Sequence, residues 1–183
     1  MSSFQGRGPR QGKWFAEGCR MVLQDHGFRL LGTHRIPEIG VEIDEVILNK
    51  NDVPIYVEFK GSLHGKRPGL FRTDTVKKAI ANGYLLSEAA KDPELVKALP
   101  CGPAPFIIIA SHVPDEDKQS AYNMLRVTSR EVVYMAFELM QSDAPLRWLA
   151  EADGYDLAED MRRRPSLGNC VYFVKGESTC SIA

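Results

Sequence analysis

The chain has no apolar run long enough to cross a membrane; its longest, FIIIA at 106–110, has the length of a buried strand. No apolar segment of signal-peptide type follows Met1. Cysteine is sparse: the four, at 19, 101, 170 and 180, show neither C-x-x-C nor zinc-ligand spacing, which argues against a disulfide framework and for reduced thiols in the cytoplasm. The four histidines, at 26, 34, 64 and 112, form no HxxxH pattern, so a zinc or haem site has no support. An excess of charge is missing too. Twenty-three Lys and Arg face 24 Asp and Glu, for a net charge of −1. Any binding to nucleic acid must therefore come from local basic clustering. Repeats and low-complexity stretches are absent. What remains is an ordinary globular composition, 44% hydrophobic and 26% charged over 183 residues. It reads as one domain over 13–183 after a flexible arm at 1–12.

The most informative stretch is VEIDEVILNKNDVPIYVEFK at 41–60. Read at a period of two, it is a hairpin of apolar strands joined by the turn residues NKND. Ile55, Val57 and Phe59 form one face of the second strand, and Tyr56, Glu58 and Lys60 the other. In the first strand Val41, Ile43 and Ile47 share a face with Glu45, while Glu42 and Asp44 point the opposite way. A turn centred on Asn51 places Asp44 directly opposite Glu58, on one side of the sheet and beside Lys60. A two-residue turn would instead set Asp44 against Val57, so the hairpin is expected to have an odd loop or a bulge. Two close carboxylates repel unless a cation lies between them. A hard divalent ion, Mg²⁺ by default, removes that penalty, and a lysine on the same face can orient water or stabilise phosphorane charge. Glu45, on the other face, is expected to matter little to this cluster. Glu42 shares Asp44's face, roughly 7 Å along the strand.

The segments G-V-E-I-D-E-V and Y-V-E-F-K-G-S, separated by a short turn, resemble the PD-(D/E)XK nuclease superfamily. Asp44 stands in the place of the motif's first acid, Glu58 the second and Lys60 the lysine; Ile43 replaces the motif's proline. The resemblance spans roughly residues 13 to 112 and leaves the C-terminal third unmatched. It implies an α/β fold with a restriction-endonuclease-like αβββαβ core, a mixed central sheet and extra C-terminal helices. It also implies a metal-dependent endonuclease acting on duplex DNA, usually as a homodimer. Asp44, Glu58 and the Phe59 carbonyl would hold Mg²⁺, with Mn²⁺ as a substitute. Many members add a ligand from the first helix, a role that would fall to Glu17, although Glu17 lies about 200° round that helix from the apolar Phe15. A repair or branched-DNA nuclease is the alternative, since G-V-E-I-D-E-V is also similar to resolvase-like stretches. A catalytically inactive nucleic-acid- or protein-binding member is another.

The rest of the chain supplies the frame. Phe15, Cys19, Val22, Leu23 and His26 make one apolar stripe, which predicts a helix over 13–26 closed by Gly27. FRLLGTHRI (28–36) reads as the first strand. The loop GSLHGKRPGLFRTDT leaves the active strand carrying Lys66, Arg67 and Arg72, candidates for phosphate contact. Thr73 is expected to cap a helix over 74–91 whose buried face is Val76, Ile80, Gly83 and Tyr84. Lys77 and Lys78 lie in its first turn, where meeting phosphate would offset their unfavourable position in the helix dipole. A short helix from Pro93 and a strand at 105–113, buried on both faces, follow. Helices are expected over 115–126, 129–141 and 144–152 and in YDLAEDMRRR, with a late strand at 169–174. SREVVYMAFELM suits a strand as well as a helix. The run Arg162–Arg164 is a further candidate for contact with a DNA backbone.

Overall fold

The structure, a computed structural model, describes residues 7–61 and 68–169. A helix α1 (Arg7–Asp25) leads into three strands, β1 (Arg29–Ile36), β2 (Val41–Leu48) and β3 (Pro54–Lys60). Helix α2 (Thr73–Ala89) then returns the chain to β4 (Phe106–Ala110). The C-terminal third adds α3 (Gln119–Val127), β5 (Met135–Glu138), α4 (Ala144–Glu151) and α5 (Gly154–Arg163). One five-stranded sheet runs β1-β2-β3-β4-β5, with the first three strands antiparallel and β4 and β5 parallel to β3. The α/β class and the mixed sheet are as expected.

Local chemistry explains most of these boundaries. On α1, Phe15, Cys19 and Leu23 are buried, and Gly27 ends the helix at φ 86°, with Phe28 N donating to the Leu23 carbonyl. A left-handed residue there satisfies carbonyls that the last turn leaves orphaned. The helix begins at Arg7, inside the stretch expected to be an arm. All five residues of β4 are buried, as the unbroken apolar run requires of a strand covered on both faces.

The β2–β3 hairpin has the expected register. Glu45 pairs with Val57, Val46 with Tyr56 and Ile47 with Ile55. Asn49 N donates to the Val53 carbonyl at 3.1 Å, which closes a three-residue loop of Lys50, Asn51 and Asp52. Asp52 adopts φ 57°, the left-handed position such loops need. The Asn49 side chain sets the turn: its Oδ1 accepts from the amides of Asn51 and Val53, both at 3.0 Å. Its Nδ2 donates to the carbonyls of Leu149 at 2.8 Å and Ala152 at 2.6 Å. The α4–α5 junction therefore anchors the far end of the hairpin.

Three expectations need correction. Arg72, not Thr73, is the residue before α2, and no side chain caps that helix. The buried face of α2 is Val76, Ala79, Gly83 and Leu86, while Tyr84 is 53% exposed. Close approach decides this: a Cβ on Gly83 would lie 2.2 Å from the Val132 carbonyl and 2.8 Å from the Phe106 ring. Gly83 and Ala79 therefore take the closest approach, Ile80 packs at the edge of the core, and only Tyr84 turns away. Within 129–141 the strand reading wins, because Met135–Glu138 pair in parallel with Ile107–Ala110. The strand expected at 169–174 lies almost wholly outside the described residues; Asn169 itself ends a 3₁₀ turn.

Candidate functional site

The two faces of β3 look toward different helices. Gly61 and Phe59 lie against α1, where a Cβ on Gly61 would overlap the Phe15 side chain and the Arg20 guanidinium stands 5.4 Å over the Phe59 ring. Glu58 looks toward α2 and receives a hydrogen bond from Asn82 Nδ2 at 3.4 Å. At the open end of the hairpin the helices leave a cleft of about 490 Å³. Asp44, Phe59, Lys60 and Gly61 line it from the sheet, Lys13, Ala16 and Arg20 from α1, and Arg72 and Thr75 from the start of α2.

Strand pairing accounts for most of the central cluster. The β2–β3 ladder runs from Leu48↔Pro54 to Glu45↔Val57, and Asp44 and Glu58 are the next residue on each strand. Lys60 forms an ion pair with Glu58, whose side chain is 3% exposed. The Asp44 carboxylate accepts from the Phe59 amide through Oδ2 at 2.8 Å, taking the place of a strand partner. Burial pushes the Lys60 ammonium below its ordinary value; the Asp44 carboxylate opposes that shift and the nearby Lys78 reinforces it. A buried lysine is therefore held by Glu58 and lies in the field of Asp44.

The outer candidates separate. Glu17 lies on the exposed side of α1, 3.9 Å from Lys13, and does not line the cleft. Glu42 is drawn to Arg35 on β1 at 2.5 Å. Arg72 lines the cleft while paired with Asp74 at 2.6 Å. Lys77 and Lys78 are exposed on the first turns of α2. Lys66 and Arg67 lie outside the described residues. Arg162 and Arg163 pair with Glu159, and Arg164 with Asp160, so the basic run is matched by acids of its own helix.

Glu45 has partners of which the sequence carries no sign. It does face away from Glu58, but it is 1% exposed and makes an ion pair with Arg20 Nε at 2.6 Å. Sequence reading also missed Thr75 and Asn82. With Lys78 they fall at i, i+3 and i+7 on α2, a helical spacing that points them to one side. Arg20 had no such signal, since it flanks the buried Cys19 without belonging to the apolar stripe.

In chemical terms the site offers two carboxylates and a backbone carbonyl as hard oxygen donors, with an adjacent ammonium. Among the described residues, no three His, Cys, Asp or Glu side chains gather round one point. A cation here would therefore draw on the chain's carbonyl oxygens as well. No helix among the described residues is long and apolar enough to cross a membrane. Comparison with protein-family models, curated proteins and solved structures found no match.

Proposed function

We propose that this chain is a Mg²⁺-dependent endonuclease of the PD-(D/E)XK type, with a restriction-endonuclease-like core, hydrolysing phosphodiester bonds in duplex DNA. The observation that carries the reading is the meeting of Asp44, Phe59 and Lys60 in one cleft, with Glu58 ion-paired to Lys60. The donor set fits a hard divalent cation: Asp44 uses Oδ2 toward the Phe59 amide and makes no hydrogen bond through Oδ1 among the described residues. Asp44, Glu58 and the Phe59 carbonyl would hold Mg²⁺, or Mn²⁺ in its place. The chemistry such an ion supplies is neutralisation of phosphate charge and acidification of water.

The chain's own groups have distinct tasks. Lys60 orients the attacking water or stabilises the charge that develops on the phosphate. Asn82 holds Glu58 from the other side. Arg72, Lys77 and Lys78, together with Lys66 and Arg67, hold the DNA backbone. The enzyme works in the cytoplasm as a homodimer, because a two-fold protein cuts both strands of a two-fold site.

Incubating the purified protein with plasmid and phage DNA in Mg²⁺, with and without EDTA, tests this. Discrete bands that EDTA abolishes support a restriction-like enzyme, and nicking or smearing supports a repair or branched-DNA nuclease. One observation favours a second reading, an inactive nucleic-acid-binding member: the Glu58 carboxylate has Lys60 and Asn82 as partners within the chain. Binding without cleavage on every DNA would establish that instead.

A further inference from the structure

The β1–β2 ladder shifts register twice, once on each side of Gly32, and the second shift is the one beside Asp44. Gly32 pairs with Val46 and His34 with Ile43, so Thr33 stands alone opposite both Asp44 and Glu45. Two residues against one is a β-bulge, a device that turns a side chain out of the regular alternation. The Asp44 carbonyl accepts from two side chains, Arg20 Nη2 at 3.0 Å and Thr33 Oγ1 at 3.0 Å. Glu45 accepts from Arg20 Nε at 2.6 Å and, through its other oxygen, from the Gly32 amide at 2.5 Å. Gly32 itself has φ 92°, a backbone that other residues resist.

These contacts form one connected unit. Arg20 bridges the carboxylate of Glu45 and the backbone of Asp44. Glu45 in turn holds Gly32, the residue at which β1 changes register. Asp44, released from its β1 partner, directs its carboxylate to the Phe59 amide at the cleft. A carboxylate as buried as Glu45 is retained at a desolvation cost, which its two donors offset.

We infer that Glu45 and Arg20 are positioning residues: their ion pair holds the β-bulge that aims the Asp44 carboxylate into the cleft. Neither touches the reacting atoms; both act through the backbone of Asp44. As a statement about catalysis, this rests on the nuclease reading. As a statement about where Asp44 points, it does not. Arg20 also lines the cleft, which makes the pair the connection between α1 and the catalytic strand. The role of Glu45 is invisible to strand alternation, which assigns it to the far face and stops there.

Three measurements on Glu45→Gln test the inference: hydrogen exchange at the Phe59 amide, Mn²⁺ affinity by calorimetry, and the kcat and KM of cleavage. Exchange at Phe59 should rise about tenfold relative to Val57 and Ile109, because its acceptor is no longer held. Mn²⁺ affinity should fall at least about tenfold, the usual scale for losing a group that orients a metal ligand. kcat should fall with KM for DNA unchanged. The double variant Arg20→Met/Glu45→Gln leaves no buried charge unpaired, so it serves even where the single variant folds poorly, and its losses should match the single's, since the pair acts as a unit. Unchanged Phe59 exchange in a folded variant overturns the inference, whether or not the parent cleaves DNA. A parent that neither cleaves DNA nor binds Mn²⁺ overturns the nuclease reading alone, and Phe59 exchange still decides the bulge.

Discussion

Lys60 has the most to reveal at the scale of single residues. Burial lowers its pKa below that of an ordinary lysine, so its ammonium is lost at lower pH than that of a free side chain. If charged Lys60 is the form that acts on phosphate, cleavage falls as pH rises through this lowered value. Lys60→Arg, which stays charged throughout, should remove that alkaline limb from the pH–rate profile while lowering the plateau. The sign for stability is opposite. Between the lowered folded value and the unfolded one, the unfolded chain binds more protons, so this residue's contribution improves with rising pH. Asp44→Asn and Glu58→Gln are nearly isosteric but each removes an anionic oxygen that a hard cation requires. Each should abolish Mg²⁺-dependent cleavage in a plasmid assay while leaving DNA affinity within about threefold, a free-energy change below roughly 1 kcal/mol.

Two glycines on helices make a paired test at the scale of elements. Gly18 lies on the exposed side of α1, and a Cβ there would meet nothing within 4 Å. Gly18→Ala should stabilise the fold by about 0.5–1 kcal/mol, since it removes only the entropic penalty of glycine. Gly83→Ala should destabilise by roughly 1–3 kcal/mol, because its methyl would strike the Val132 carbonyl and the Phe106 ring. Urea unfolding of the two variants would show opposite shifts in midpoint. The hairpin turn is the other sensitive element. Asn49 is buried, with two donors spent on the α4–α5 junction and one acceptor on the loop. Asn49→Ala strands the Leu149 carbonyl, leaves that of Ala152 only the 3.4 Å hydrogen bond from Asn51 Nδ2, and should cost on the order of 2–4 kcal/mol.

The whole molecule carries a net charge of −1, so the DNA binding proposed for it needs a local basic region. The proposal places that region at the cleft rim, where Lys13, Lys60 and Arg72 gather, with Lys77 and Lys78 on the adjoining turns of α2. Replacing Arg72, Lys77 and Lys78 together by Ala should weaken binding on every DNA sequence alike. It should also flatten the plot of log K against log salt by roughly 2–3 in slope, at about 0.9 for each phosphate left without its cation. Fluorescence anisotropy across a salt series measures this, and an unchanged slope would place the DNA path elsewhere.

The order of residues alone dictates what repeats over short distances. The period of two in β2 and β3, with a turn centred on Asn51, put Asp44, Glu58 and Lys60 on one side of the sheet, and the ladder keeps the register of that turn as far as Glu45↔Val57. The apolar stripe of α1, its closure at Gly27 and the doubly buried β4 were equally local. Packing in three dimensions set the rest, because partners distant along the chain leave no mark on local periodicity. The face of α2 follows from how closely Gly83 approaches Phe106 and Val132. Within 129–141, Met135–Glu138 became a strand because β4 presented an open edge. Glu45, assigned by alternation to the far face and no task, found Arg20 across 25 positions of sequence and Gly32 across 13. A pattern along one strand states which way a side chain points, and only packing supplies what it meets there.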